Sequence, residues 1–479
     1  MLPKRFCPLF LTALLPCNAV AESEGPASRR PNIVLILADD LGYGDLGVTG
    51  SKQISTPHID LLAAEGVRFT NAYVASAVCA PSRAGLMTGK HPVTFGFRDN
   101  LAPVQPGHDP EFVGLPLNQT TLAERLKKLG YTTGIIGKWH LGELPKFSPL
   151  QRGFDEFWGY SGGAHDYFRA EADGEKAMAG PILCSYKQPA PLTYLTDDQG
   201  NESVDFIRRH KDHPFFLFAS FAAPHSPMQA TEEDLKRFAS IKDKLRRTYC
   251  AMVYRLDQNV GKILDELRAQ GVERDTLVVF LSDNGGPSAP GLSNGSVNAP
   301  LRGSKTTVLE GGIRVPMIVR WPATLPSGKT MDAMVSSLDL LPTFVTAAGG
   351  LTAPSEGLVG VNLLPLLSGK SDQPPHESLM WTYTVGSAIR SGDWKLIRLP
   401  DRLPMLYHLS TDLTEQKDLA LEQMDRTRAM LRELGQWELR AANPVCREPA
   451  DWRVRHLKYY DSDYQTSQPE AVPASEGNK

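Results

Sequence analysis

Ile33-Val34-Leu35-Ile36-Leu37-Ala38 runs directly into Asp39-Asp40-Leu41-Gly42-Tyr43-Gly44, and this junction decides the fold. Six apolar residues without polar alternation predict a strand buried on both faces, as in a parallel sheet covered by helices. Two adjacent acids cannot continue such a strand, so they mark its C-terminal end. The runs 215–221, 276–281 and 316–319 have the same texture. Between the runs, 121–129 places Leu122, Leu126 and Leu129 on one helical face before Gly130. Likewise 246–270 spaces Cys250, Val253, Val260, Ile263 and Leu267 helically before Gly271. The alternation predicts an α/β fold, a mostly parallel sheet flanked by helices and joined by right-handed crossovers.

Ligands of open α/β sheets bind beyond the C-terminal ends of the strands. Those ends are rich in chemistry: Ser282-Asp283-Asn284-Gly285-Gly286 after 276–281, Ala222-Ala223-Pro224-His225 after 215–221, and Gly137-Lys138-Trp139-His140 after 131–136. Asp39, Asp40, Asp283 and Asn284 make an all-oxygen donor set, and clustered carboxylates call for a neutralising cation. Oxygen donors without a dedicated His/Cys cluster favour Ca2+ over zinc, with Mg2+ the lesser alternative.

A second stretch, Cys79-Ala80-Pro81-Ser82-Arg83-Ala84-Gly85-Leu86-Met87-Thr88-Gly89-Lys90, reads as a helix that Pro81 helps to start and Gly89 ends. Cys79 then sits at a helix N-terminus, which favours anions, with Arg83 one turn along. The stretch resembles the signature C-x-P-S-R-x-x-L-x-T-G-[KR] of type I sulfatases, in which the cysteine is oxidised to formylglycine. A C-x5-R phosphatase loop does not fit, because three residues separate Cys79 from Arg83. Gly137-Lys138-Trp139-His140-Leu141-Gly142, Pro224-His225-Ser226-Pro227, Leu301-Arg302-Gly303-Ser304-Lys305 and Glu310-Gly311-Gly312-Ile313-Arg314-Val315-Pro316 resemble further sulfatase motifs in the family's order. The resemblance extends from Pro31-Asn32 to Leu406-Tyr407-His408-Leu409. The chain departs from it at Asp412-Leu413, where the family often has Asp-Pro.

The resemblance implies an alkaline-phosphatase-like fold, formylglycine formed from Cys79 by a formylglycine-generating or anaerobic sulfatase-maturating enzyme, and one Ca2+ on Asp39, Asp40, residue 79, Asp283 and Asn284. Arg83, Lys138 and Lys305 would stabilise charge on the transferring group. Asp283 could accept the proton of the attacking hydroxyl, His225 or its competitor Lys305 would protonate the leaving oxygen, and His140 would take the proton from the second hydroxyl of the hydrate. That last transfer collapses a sulfo-enzyme intermediate without water attacking sulfur.

For substrate, 152–160 followed by Gly162-Gly163-Ala164-His165-Asp166-Tyr167 resembles the segment beside the sugar in polysaccharide and glycosaminoglycan sulfatases. His165 and Asp166 are candidates there, and Arg98 in Gly96-Phe97-Arg98-Asp99-Asn100 is another. The expected substrate is a sulfated carbohydrate. The alternatives are a phosphonate monoester or phosphodiester hydrolase of the same superfamily, and a binder of sulfated glycans whose Cys79 stays unmodified.

Residues 1–21, with Lys4 and Arg5 before an apolar stretch and Ala19-Val20-Ala21 at its end, read as a signal peptide for export to the periplasm or medium. Residues 22–365 read as the catalytic domain and 366–460 as a smaller C-terminal domain, with strands near 379–384, 387–390 and 394–398 and a helix near 422–440. A polar tail is expected over 461–479. Cys184, Cys250 and Cys446 allow at most one disulfide, of unspecified pairing. A net charge of −3 shows no basic excess for nucleic acid, and no later apolar run has the length of a membrane span.

Overall fold

Asn32–Ala38 forms the predicted strand at the centre of a nine-stranded sheet, and all seven of its residues are buried. The computed structural model describes residues 30–101, 111, 113–170, 180–445 and 450–464, so the leader at 1–21 and Cys446 lie outside the described residues. Successive side chains of the strand enter separate cores. Val34, Ile36 and Ala38 pack with the helices Pro57–Ala64, Leu195–His210 and Lys244–Ala269. Ile33, Leu35 and Leu37 pack with Cys79–Thr88, Leu122–Lys128 and Leu340–Ala347. Burial on both sides is the reason the strand shows no polar alternation.

From one edge the order is Lys329–Met331, Val67–Phe69, Met317–Arg320, Thr276–Ser282, Asn32–Ala38, Phe215–Ser220, Thr132–Lys138, Glu156–Tyr160 and Leu183–Cys184. The stretch from Thr276–Ser282 to Glu156–Tyr160 is parallel throughout. The run at 316–319, read as parallel, is instead antiparallel: Met317–Arg320 opposes both Thr276–Ser282 and Val67–Phe69. Its unbroken apolarity reports two-sided burial, which does not depend on strand direction.

Register brings the chemistry to one level. Ala38 pairs with Ser282, Leu37 and Gly137 both pair with Ser220, and Lys138 pairs with Tyr160. The strands approach closely just before Lys138: a Cβ at Gly137 (φ +115) would lie 1.9 Å from the Ser220 carbonyl oxygen, and one at Gly159 (φ +145) 2.0 Å from that of Gly137. Glycine alone tolerates both the backbone and the contact.

The smaller sheet, Ser378–Tyr383, Gly386–Ser391, Trp394–Arg398 and Met405–His408, is antiparallel. One face packs Ile389, Leu396 and Leu406 against Met430, Leu434 and Trp437 of the helix Met424–Glu438. The other packs Trp381, Ala388 and Tyr407 against Tyr73, Val78, Val308 and Ile313 of the larger body. A helix that the sequence pattern did not announce, Ala450–Tyr464, extends past Asp461 into the expected tail. Among its residues with described side chains, only His456 and Tyr460 are buried, too few for a helical period to stand out. Cys184 and Cys250 are unpaired thiols. Among the described residues, no helix is long and apolar enough to cross a membrane.

His91, where the two sheets' surroundings meet, donates from Nε2 to the Met380 carbonyl at 3.1 Å and lies edge-on to Trp437. Burial pushes its pKa down from 6.5 to about 4. The unfolded chain therefore takes up a proton that the folded chain refuses, so this stability is present above pH 6.5 and lost as pH falls through about 4. The loss amounts to roughly 3 kcal/mol. A His91→Gln variant, which can still donate to Met380, should show a flatter Tm profile over that window; an unchanged slope would refute the assignment.

Candidate active site

The backbone locks the strand ends together before any side chain acts. The Asp39 N–H donates to the Ala223 carbonyl at 3.1 Å, and the Asp283 N–H to the Ala38 carbonyl at 3.0 Å. The Asp40 N–H then donates to Asp283 Oδ1 at 3.2 Å. Asp40 and His140 are non-glycine residues held at φ 66 and 60, and Thr306, next to Lys305, at φ 76. Such left-handed conformations persist only where the surroundings over-determine them.

Cys79 is the first residue of the helix Cys79–Thr88, which ends in the left-handed Gly89 as expected. Its Sγ lies 3.1 Å from Lys305 Nζ and 3.6 Å from Asp39 Oδ1. Lys138 Nζ bonds Asp39 Oδ2 at 2.6 Å, and Lys305 Nζ bonds both Asp40 oxygens at 2.7 and 2.9 Å. Arg83 Nε donates to Asp283 at 2.9 Å, and Arg83 Nη1 to Ser220 Oγ at 2.7 Å and the Lys138 carbonyl at 3.2 Å. His225 Nε2 is 3.5 Å from Asp40 Oδ2, and its Nδ1 donates to the Ser226 carbonyl at 2.6 Å. Asn284 Nδ2 donates to Asp40 Oδ1 at 2.6 Å.

A family model described as Sulfatase matches residues 31–350. The chain belongs to the sulfatase family. A second model, N-sulphoglucosamine sulphohydrolase, C-terminal, matches residues 304–436. N-acetylgalactosamine-6-sulfatase of Homo sapiens is 34% identical over 454 residues, 85% of this chain and 84% of that protein. Arylsulfatase A of Homo sapiens is 36% identical over 397 residues, 77% of this chain and 75% of that protein. The crystal structure of Ps i-CgsB in complex with k-i-k-neocarrahexaose superposes with a TM-score of 0.82 at 36% identity, covering 91% of this chain and 100% of that chain. The protein is accordingly a sulfuric ester hydrolase with the alkaline-phosphatase-like fold of this family.

In this sulfatase the electrostatics centre on position 79. Burial pushes the Cys79 thiol up to about 12 despite Lys138 and Lys305, so the encoded side chain is a neutral thiol at physiological pH. Burial alone would raise the Asp39 carboxyl, but Lys138, His225, Arg83 and Lys305 hold it well below the usual range. Asp283 goes the other way: burial and the Asp39 charge push it up to about 6 against Arg83. Burial, with Lys138 and Arg83, drives His140 well below its ordinary value, and burial lowers His225 against Asp39 and Asp40. Asp40, with Asp39 and Asp283 behind it, holds Lys305 charged in spite of burial. Three carboxylates thus face three cations, so the protein already balances its own acids without a metal.

What remains open is polar capacity. Arg83 Nη2, His140 Nδ1, the Tyr160 hydroxyl and Asn284 Oδ1 are buried and lack hydrogen-bond partners among the described residues. Buried polar atoms are normally satisfied, so unpartnered atoms on these site residues fit a site completed by a bound group. The donor set also suits a metal: one donor atom from each of Asp39, Asp40, Cys79 and His225 lies within 4.8 Å of the others, and Asn284 Oδ1 is an oxygen without a partner. His225 thereby joins residues read as ligands, while Asp283 and Asn284 reach the group through Asp40.

The structure brings Asp39, Asp40, Cys79, Arg83, Lys138, His140, His225, Asp283, Asn284 and Lys305 together. The candidates for sugar contact are placed differently. His165 packs tilted against Tyr160 with ring centroids 5.1 Å apart, and its Nδ1 meets the Asp166 carbonyl at 2.7 Å. The Asp166 carboxylate is occupied in folding its own loop, accepting from the Phe168 and Arg169 N–H groups and from Gln229. Arg98 turns to the Ala442 carbonyl at 3.0 Å. Three residues were not singled out: Ser220, Tyr160 within 152–160, and Asn100 within 96–100, whose Oδ1 caps the Ala80 N–H at 3.0 Å beside Cys79. Ser220 had a signal, a lone hydroxyl inside an apolar run. Asn100 had none, because its cap spans a chain turn rather than a helical spacing.

Proposed function

We propose that this enzyme is an exported sulfatase that removes sulfate from a sulfated carbohydrate, using formylglycine made from Cys79 and one Ca2+ held by Asp39, Asp40, Asp283 and Asn284, with residue 79 beside them. The observation that carries the reading is the gathering of buried Asp39, Asp40, Lys138 and Lys305 at Cys79, whose Sγ lies 3.1 Å from Lys305 Nζ and 3.6 Å from Asp39 Oδ1. Calcium would supply Lewis-acid charge, and the hydrated aldehyde would supply an attacking hydroxyl and a second one for release. Arg83, Lys138 and Lys305 bind the anionic group and take up the charge that grows on it. His140 Nδ1, without a hydrogen-bond partner among the described residues, would accept the proton from residue 79 as sulfate leaves. His225 donates from Nδ1 to Ser226, so Nε2 holds a proton for the leaving oxygen only in the imidazolium form, which Asp39 and Asp40 favour and burial opposes; Lys305 Nζ, held charged by Asp40, is its competitor. The names of N-acetylgalactosamine-6-sulfatase and of the neocarrahexaose complex support a sugar sulfate as substrate.

The test pairs mass spectrometry with kinetics. The tryptic peptide 69–83 from protein made beside a maturation enzyme should carry the aldehyde, and rates should rank sugar sulfate and aryl sulfate above a phosphate diester. An unmodified thiol in active protein, or a preference for phosphorus, would sink the proposal.

A further inference from the structure

Lys305 approaches Cys79 from a loop, 302–314, that is fastened largely from the C-terminal side of the molecule. The Glu310 N–H donates to Glu415 Oε2 at 2.8 Å, and the Arg302 guanidinium donates to the Glu415 carbonyl. Lys395, on the strand Trp394–Arg398, grips both acids, with Nζ 2.8 Å from Glu415 Oε1 and 2.9 Å from Glu310 Oε1. All three side chains are 0% exposed. Tyr73 and Arg314 occupy the other Glu310 oxygen at 2.6 and 3.2 Å. On the far side of the loop, the Val308 N–H donates to the Tyr460 hydroxyl at 2.9 Å. Toward the active site, the Lys305 N–H bonds the Gly286 carbonyl at 3.2 Å and the Thr306 N–H the Ala77 carbonyl at 2.9 Å.

Two features separate this arrangement from ordinary packing. A fully buried ion cluster is a poor source of stability compared with apolar side chains of the same volume, so geometry rather than free energy is its best-supported yield. Glu415, at φ 53, and Thr306, at φ 76, are non-glycine residues in the left-handed region at opposite ends of the same connection. Strain of that kind is kept where neighbours force it. Tyr460 also lies beyond residue 436, where the match to the C-terminal family model stops, so the second fastening comes from the helix Ala450–Tyr464.

We propose that Glu415 and Tyr460 are positioning residues for Lys305: together they clamp the loop 302–314 so that the ammonium group meets position 79. The inference rests on the role given to Lys305 under the proposed function. It predicts that Tyr460 acts through Lys305, and a double-mutant cycle isolates that dependence. Turnover of an aryl sulfate is measured on folded protein with equal conversion at position 79. Tyr460→Phe should lower kcat about fivefold in the wild-type background and less than about twofold in the Lys305→Ala background. An equal loss in both backgrounds, as a purely structural role would give, overturns the proposal, as does no loss in either. Glu415→Leu should lower kcat by about tenfold or more, while Glu415→Gln, which keeps an oxygen for the Glu310 N–H, should stay within about threefold of wild type. Equal losses in the two Glu415 variants would count against the clamp. A Lys305→Ala enzyme with full activity would overturn the reading of the site itself, and the clamp with it.

Discussion

Cys79→Ala is expected to lose at least about 10^4-fold of wild-type turnover while keeping the fold, since under the proposed function it removes the attacking group and with it the covalent route. Cys79 contributes little that alanine cannot replace. It opens the helix Cys79–Thr88, whose N-terminal Ala80 N–H is capped by Asn100. Lys305 retains both Asp40 oxygens when the sulfur is gone, and Lys138 retains Asp39. Only a small cavity remains, so Tm should stay within a few degrees. Cys79→Ser sharpens the prediction. A serine hydroxyl beside Lys305 can attack once, but the ester it forms has no second hydroxyl with which to collapse, so a single slow event per molecule is expected. Burst amplitude against enzyme concentration measures this, and repeated turnover by either variant would show that the nucleophile lies elsewhere.

Removal of calcium should be nearly as damaging to activity and far less damaging to stability. Chelation with EGTA is expected to abolish turnover, and Ca2+ but not Mg2+ at equal concentration should restore it. The fold tolerates the loss because Lys138, Lys305 and Arg83 already pair with Asp39, Asp40 and Asp283. Binding at a hundredfold over Kd adds about 2.7 kcal/mol, which in a chain of this size moves Tm by only a few degrees. Full activity in protein shown by elemental analysis to be free of metal would exclude a catalytic calcium.

Much of this site was legible because parallel sheets concentrate function in a readable place. An unbroken apolar run followed at once by acid, base or amide residues identifies both a buried strand and the end where the candidate site lies, as at Ala38-Asp39, Leu281-Ser282-Asp283 and Gly137-Lys138. Three of the four C-terminal strands were readable from short runs and the Ser391-Gly392-Asp393 turn, while Met405–His408 was not called, and the thiols of Cys184 and Cys250 needed only the statement that pairing was open. Harder to read were groups that act across sequence distance. Ser220 shares Arg83 with the Lys138 carbonyl, and Asn100 caps a helix begun twenty residues earlier. Direction was equally hidden in Met317–Arg320, since apolarity records burial and not polarity of the chain.

By itself, the sequence determined the α/β sheet, the signature helix with its left-handed Gly89 end, and the identity of the residues meeting at the strand ends, because these depend on local spacing and two-sided burial. Tertiary structure alone decided how their charges are shared. It set Asp39 against Lys138 and Asp40 against Lys305, balanced the acids with protein cations, turned Arg98 toward Ala442, and clamped the Lys305 loop from Glu415 and Tyr460. Those outcomes depend on distances between segments tens to hundreds of residues apart, and electrostatic energy follows distance and burial rather than order along the chain.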